Sequence, residues 1–466
     1  MQILGPAGSR SRERQKLNPA TVRGDPAAGR QYNRQPMPST HTKTQLPNGI
    51  SVLLKEIHTT PLISLWVWYR VGSRDEVPPL TGISHLVEHM QFKGTPDFPA
   101  EVMDKSVARE GGARNAFTFL DWTTYFETMP ADKIDLALRI EADRMVHSVF
   151  DPEEFSSERT VVISEREGNE NEPLFLLGEA VQQAAFRVHS YHHEIIGDLA
   201  DLKTLRRDDL YAHYRAFYVP GNAVISVAGD FETAGMLAKI EQLFGSIPAG
   251  PMPARLARPE PETRGEMRVT VEGPGETAYV QVAYHFPPAA HSDFLPLSVL
   301  DSLLAGPSNL NMFGGGGISN KTSRLYRALV DKQFAVGFSG GSNPTIDPFL
   351  YALSLTIHPK RKPGEALAAL DAEIRKVQEE PVPPAEIRRA IKQARANFAY
   401  GTENITNQAF WLGYAEMFAT YDWFETYLDR LAKVTARDVR RVAREYLRRQ
   451  RRVIGTYVPT GKVGAA

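Results

Sequence analysis

The stretch LISLWVWYRVGSRDEVPPLTGISHLVEHMQFKG, residues 62–94, reads as a long apolar strand, a loop holding glycine and proline, and a helix. The same order returns at residues 278–306, AYVQVAYHFPPAAHSDFLPLSVLDSLLAG. Overlaying the two puts Leu297, Leu300 and Asp301 where the first copy has His85, Glu88 and His89. Two similar halves, one with polar chemistry and one without, point to a duplication in which a single copy keeps a site. The expected fold is α+β, with two similar domains, each a mostly antiparallel sheet packed with helices.

Working outward, TKTQLPNGISVLLKE (42–56) sets Asn48-Gly49 between two strand-like runs, a hairpin signal. GGARNAFTFLDWTTYFETMP (111–130) alternates and is rich in aromatics, which predicts a strand pair. ADKIDLALRIEADRMVHSVF (131–150) spaces Ile134, Leu138 and Met145 as a helix does. Another helix is predicted over 152–168, capped by Asp151 with Pro152 in its first turn. NAVISVAGDF (222–231) reads as a buried strand. The proline-rich IPAGPMPARLARPEPE (247–262) is the linker candidate. The expected organisation is a disordered tail at 1–41, a first domain at 42–246, the linker at 247–262 and a homologous second domain at 263–466.

With 466 residues, 42% hydrophobic and 23% charged, the chain can bury more than one core. A formal net charge of -1 gives no reason to expect a nucleic-acid partner or a membrane surface. There is no cysteine, so any metal must be held by histidine and carboxylate. No apolar run approaches membrane-spanning length. The arginine-rich first 40 residues have no apolar signal region, and Met37 offers an alternative start. A cytoplasmic location is the expectation, with a transit peptide or extracytoplasmic location left open.

His85 and His89 are four residues apart, so on a helix both imidazoles lie on one face and can share an ion. Glu88 shares that face, and a carboxylate beside a metal-activated water can take its proton and return it to a leaving amine. The competing reading is a pair of core or surface histidines. Downstream, SSERTVVISEREGNENEP (156–173) sets Glu158 and Glu165 seven apart, two turns along one face, around the apolar Val161 and Val162. If those valines are buried, the two carboxylates come near the same core, where they need a cation or strong donors. The alternative is a solvated acidic face, which suits Glu167, Glu170 and Glu172 better.

His85-Leu86-Val87-Glu88-His89 followed by ERTVVISE resembles the pitrilysin/insulinase family of zinc metallopeptidases, the inverzincins, and their shorter processing-peptidase-like members. The resemblance runs from about Thr42 to about Thr460. It implies one Zn2+ per chain held by His85, His89 and a glutamate about 76 residues past the second histidine, which is Glu165. It assigns Glu88 to the activation of water and makes Glu158 the group that orients a ligand histidine. GGARNAFTFLDWTTYF is similar to the family's edge strand, where Asn115 and Ala116 would pair with the backbone of a peptide substrate.

One departure bears on assembly. Members that complete the site from their C-terminal half carry an arginine and, seven residues on, a tyrosine, but here Val330 and Gly337 take those places. The resemblance therefore implies a homologous partner subunit that lacks zinc ligands and supplies the pair. A homodimer using Arg324 and Tyr326 is the other possibility. The expected function is a zinc-dependent endopeptidase acting on peptides or unfolded segments, the alternative a non-catalytic structural subunit of a peptidase-like complex. Three further motifs read as weaker. HSYHHE (189–194) is a loop with little chance of a second metal site, since adjacent His192 and His193 cannot easily share an ion. GGGGISNKTS (314–323) lacks the glycine a phosphate loop needs before Lys321, which leaves a flexible loop near the substrate path or a surface insertion. VRRVAREYLRRQRR (439–452) reads as the solvated face of the last helix, with Val442 and Leu447 inward.

Overall fold

The structure, a computed structural model, describes residues 41–255, 258–307 and 318–461. The tail before His41 and the Gly314–Gly317 segment lie outside the described residues. The first sheet contains β1 (Thr42–Gln45), β2 (Ser51–Glu56), β3 (Leu62–Tyr69), β4 (Ala113–Thr118), β5 (Thr123–Pro130) and β6 (Ala223–Gly229). Their order is β1-β2-β6-β3-β5-β4. The second contains β7 (Met267–Gly273), β8 (Tyr279–Phe286), β9 (Ala335–Ser342), β10 (Phe349–Ile357) and β11 (Arg452–Pro459), ordered β7-β11-β8-β10-β9. Every neighbouring pair is antiparallel except β2 with β6 and β7 with β11. The run β2-β6-β3-β5-β4 thus repeats as β7-β11-β8-β10-β9 in both order and direction. The duplication expected from residues 62–94 and 278–306 is present in the strand topology.

Local chemistry accounts for the elements. Gly49 takes φ +99° in the turn between β1 and β2, a conformation that costs glycine little. Asp151 caps the Pro152–Asn169 helix by accepting the amides of Glu153 and Glu154. β3 is apolar almost throughout because both its faces are covered. Ile63, Leu65, Val67 and Tyr69 enter one core together with the Ile83–Met90 helix. Trp66 and Trp68 point the other way, into a core shared with the second half.

The two halves exchange helices, which the sequence reading does not anticipate. The Pro173–Ala185 helix leaves the first half to pack on β7, β8 and β11. The Ile405–Phe418 helix leaves the second half to pack across β3 and β6. There Phe410 lies 5.3 Å from Trp66 and 5.4 Å from Trp68, centroid to centroid. Ser226 of β6 accepts from the Trp68 indole (3.1 Å) and donates to the Ala409 carbonyl (2.9 Å). The close approach depends on Gly413, where an added Cβ would lie 2.0 Å from Trp68 Nε1 and 2.7 Å from Ser226 Oγ. Gly413→Ala is therefore expected to destabilise the chain by about 1–3 kcal/mol through overpacking. Gly235→Ala, in a helix with nothing within 4 Å of the new methyl, should instead be neutral or stabilising by up to about 1 kcal/mol. Denaturant unfolding of both variants checks this, and a Gly413→Ala protein as stable as the parent would refute the close packing. No helix among the described residues is long and apolar enough to cross a membrane.

Candidate metal centre and peptide-binding edge

The Ile83–Met90 helix is only eight residues long and is held at its N-terminal end. Gly82 begins it at φ 82°, and an added Cβ there would meet the Ile196 carbonyl oxygen at 2.4 Å. Glu76, 2% exposed, reaches the helix start and accepts the amides of Gly82 (2.7 Å) and Ser84 (2.8 Å). Its two oxygens satisfy orphan donors of the first turn, while burial outweighs those amides and raises the carboxyl to about 8. Leu86, Val87 and Met90 are fully buried, which fixes the rotation of the helix. His85, Glu88 and His89 then share the remaining face, with the two imidazole rings 4.7 Å apart.

The Pro152–Asn169 helix packs against this one. Its Glu158, 8% exposed, bonds His89 Nδ1 at 3.0 Å and Lys93 Nζ at 2.6 Å. Those two partners hold its carboxyl below the ordinary value against the opposing effect of burial. Glu165 Oε2 lies 3.8 Å from His89 Nε2. One donor atom from each of His85, His89 and Glu165 falls within 4.8 Å of the others. The valines behave differently from expectation, since Val162 is fully buried but Val161 is 47% exposed. At about 100° per residue, Val162 lies roughly 40° to one side of Glu158, while Glu165 and Val161 lie about 20° and 60° to the other. Burial therefore declines from Val162 through Glu158 to Glu165, which leaves Glu165 at the open rim.

The electrostatics follow from this placement. Burial, with His89 beside it, pulls His85 down to about 3, so its imidazole is neutral. Its Nδ1 is buried with no hydrogen-bonding partner among the described residues. Burial opposes charge on His89, but Glu158, Glu88 and Glu165 outweigh it and raise that imidazole. Burial pushes Glu88 up to about 7, against the Thr118 hydroxyl that donates to it at 2.6 Å. The donor set fits a zinc ion. It is made of nitrogen and oxygen atoms only, includes a neutral imidazole and an orphaned ring nitrogen, and is open on the Glu165 side. A tetrahedral ion with bonds near 2.1 Å separates its ligands by about 3.4 Å, so the 3.8 Å from His89 to Glu165 needs little adjustment.

Thr118 belongs to β4, the outer strand of the first sheet. On the same strand Asn115 is exposed and Ala116 is 5% exposed. The Ala116 amide donates to its neighbour's Asn115 Oδ1 at 2.9 Å, a bond within the strand itself. Asn115 and Ala116 thus sit on an edge strand that also reaches Glu88.

The reading of the residues alone missed Glu76, Lys93 and Thr118. Lys93, four residues past His89, carried a spacing signal, whereas the Glu76 contacts cross a proline loop that no periodicity predicts. The HSYHHE histidines go elsewhere. His189 Nε2 pairs with Asp347 at 3.1 Å, and His193 Nδ1 bonds the Glu194 carbonyl at 3.0 Å. Among the described residues the only other group with metal-ligand proximity is His41, Asp422 and Glu425, whose two acids are exposed. In the second half the matching helix, Phe294–Leu304, buries Leu297, Leu300 and Asp301 and offers no such cluster among the described residues. Val330 ends a short helical segment and Gly337 lies on β9. Arg324 is engaged by Glu386 at 2.8 Å and Glu373 at 3.5 Å.

The histidine and glutamate cluster lies in one half of a two-sheet α+β scaffold, and proteins similar to this chain include ones named as zinc proteases. Residues 51–199 match the family model described as insulinase (peptidase family M16), and residues 204–394 match the peptidase M16 inactive domain. The chain belongs to this insulinase family. An uncharacterized zinc protease of Bacillus subtilis, YmxG, is 31% identical over 57% of this chain, and the match spans 64% of that relative. Zinc protease PqqE of Helicobacter pylori is 28% identical over 88% of this chain and 93% of its own length. The mitochondrial-processing peptidase subunit beta of Blastocladiella emersonii is 24% identical over 87% of this chain and 85% of its own. The crystal structure of a protease from Helicobacter pylori superposes with a TM-score of 0.84 at 26% identity, over 90% of this chain and 99% of that one.

Proposed function

We propose that the chain is a zinc-dependent endopeptidase acting on extended peptides or unfolded segments. The observation that carries this reading is the convergence of His85, His89 and Glu165 donor atoms within 4.8 Å beside a half-buried Glu88. His85, His89 and Glu165 would hold the ion, which when bound supplies a Lewis acid for water and for the peptide carbonyl. Glu88 takes a proton from the attacking water as its oxygen adds to the scissile carbonyl carbon. As the C–N bond breaks, Glu88 returns that proton to the departing amine nitrogen. The Thr118 hydroxyl, which donates to Glu88 at 2.6 Å, fixes the carboxyl that accepts and then returns the proton. Glu158 keeps the His89 ring oriented from behind.

A substrate strand would add beside β4, where its backbone replaces the Asn115 side chain at the Ala116 amide. This places the peptide on the same strand as Thr118, which touches Glu88. We also infer a homologous partner subunit without zinc ligands, which supplies the arginine and tyrosine missing at Val330 and Gly337. Relatives of the processing-peptidase type, named as subunits, support that reading. The homodimer alternative is weakened because Arg324 is already held by two glutamates of its own half.

The deciding experiment is cleavage of a mixed unfolded-peptide pool by the purified chain, with and without chelator, alone and with its partner. Chelator-sensitive cleavage supports the peptidase. A chain that holds zinc but cleaves nothing, even with the partner, would favour the non-catalytic subunit. Full activity from the isolated chain would remove the two-chain proposal. Separately, Glu158→Gln is expected to weaken zinc binding about 10- to 100-fold by loosening His89. Competition with a chromophoric chelator measures this, and unchanged affinity would deny Glu158 its orienting role.

A further inference from the structure

The backbone that leaves the Ile83–Met90 helix is fixed before it turns away. Phe92 N donates to the His89 carbonyl at 3.1 Å, and Lys93 N donates to the Met90 carbonyl at 3.0 Å. The next carbonyl, that of Gly94, accepts from Val149 N at 3.3 Å. Lys93 therefore starts from a position with little freedom, four residues past His89. Its ammonium reaches the Pro152–Asn169 helix, where it lies 2.6 Å from Glu158 Oε1 and 3.1 Å from Glu154 Oε2. Glu154 is the outer partner, its side chain 46% exposed against 11% for Glu158.

The two oxygens of Glu158 thus have separate tasks. Oε1 meets Lys93, and Oε2 meets His89 Nδ1 at 3.0 Å. An ionised carboxylate only accepts, so the second contact keeps the imidazole proton on Nδ1. The lone pair is then on Nε2, the atom 3.8 Å from Glu165, where an ion can take it. Nothing within Glu158 itself aims Oε2 at the ring, because the last torsion of a glutamate is broad and roughly two-fold. Lys93 supplies the missing constraint. Without it, Oε1 would lose a charged donor at a nearly buried site, and the carboxylate would have to turn to replace it. Lys93 cannot be a ligand, since an ammonium has no lone pair.

We propose that Lys93 is a positioning residue of the metal centre, gripping one oxygen of Glu158 so that the other keeps His89 turned toward the ion. This inference rests on the metal reading above and extends it to a residue that contacts neither imidazole nor Glu165.

The test is the zinc affinity of the full-length chain, measured by competition with a chromophoric chelator. Lys93→Met keeps the apolar stem and removes the donor, and is expected to weaken zinc binding about three- to tenfold. In a Glu158→Gln background the same substitution should change affinity by less than about twofold, because the group it acts through is gone. Lys93→Arg restores a cationic donor and should recover most of the loss. Glu154→Gln leaves the Glu158 contact in place and should cost less than about twofold. Melting curves of the metal-free proteins check folding; if Lys93→Met is unfolded, Lys93→Ala decides in its place. Unchanged or tighter zinc binding by the folded variant overturns the proposal, as does an equal loss in the Glu158→Gln background. No recovery with Lys93→Arg, or an equal loss from Glu154→Gln, would make Lys93 a mere tie between helices and overturn it as well. A parent chain that binds no zinc is a separate outcome, which removes the metal reading and this inference with it.

Discussion

Glu88→Gln is expected to abolish peptide hydrolysis while leaving the metal in place. The substituted amide keeps the size of the side chain and can still accept from the Thr118 hydroxyl, so the helix and its two imidazoles stay where they are. What disappears is the basic oxygen that takes the proton from water. Loss of a positioned general base costs about 10²- to 10⁴-fold in rate. The readout is kcat/KM on a quenched fluorescent peptide, set beside zinc content by mass spectrometry on the same sample. A variant that retains turnover within about tenfold of the parent would remove Glu88 from the base role.

His89→Ala should have the complementary effect and empty the centre. It deletes the one imidazole that touches both Glu158 (3.0 Å) and Glu165 (3.8 Å), and leaves His85 with an exposed carboxylate as its only companion. Zinc content should fall from near stoichiometric to a trace. Ligand binding also stabilises the fold. The parent is expected to lose thermal stability on chelation, by about 4 kcal/mol if free zinc had been a thousandfold above its dissociation constant. His89→Ala should show no such response. Tight zinc retention by His89→Ala would mean that the ion is held elsewhere, and the proposed centre would have to be given up.

How legible each part was depends on the range of the interaction behind it. The His85, Glu88 and His89 face was readable because helical geometry alone brings residues three and four apart together. Glu165 was harder. Its distance along the chain matched a family spacing, but nothing local says that Val162 turns inward and Val161 outward, and that rotation is what brings Glu158 behind His89 and leaves Glu165 at the rim. The exchanged helices were not legible at all. ITNQAFWLGYAEMF is apolar around most of its circumference, which announces burial but not the partner. Only complementary surfaces, with Gly413 against Trp68, decide that it covers β3 and β6.

From the amino-acid order alone came the α+β halves, the strand-loop-helix repeat and the three polar side chains on one helical turn. Each of these follows from periodicities that act over a few residues. Tertiary packing decided which sheet each crossing helix covers, how Glu76 and Glu158 brace the short helix, and how close Glu165 comes to the imidazoles. Those outcomes turn on side chains far apart in the chain meeting in a dense, partly dry interior, where shape and unpaired charge are costly, and no local pattern records them.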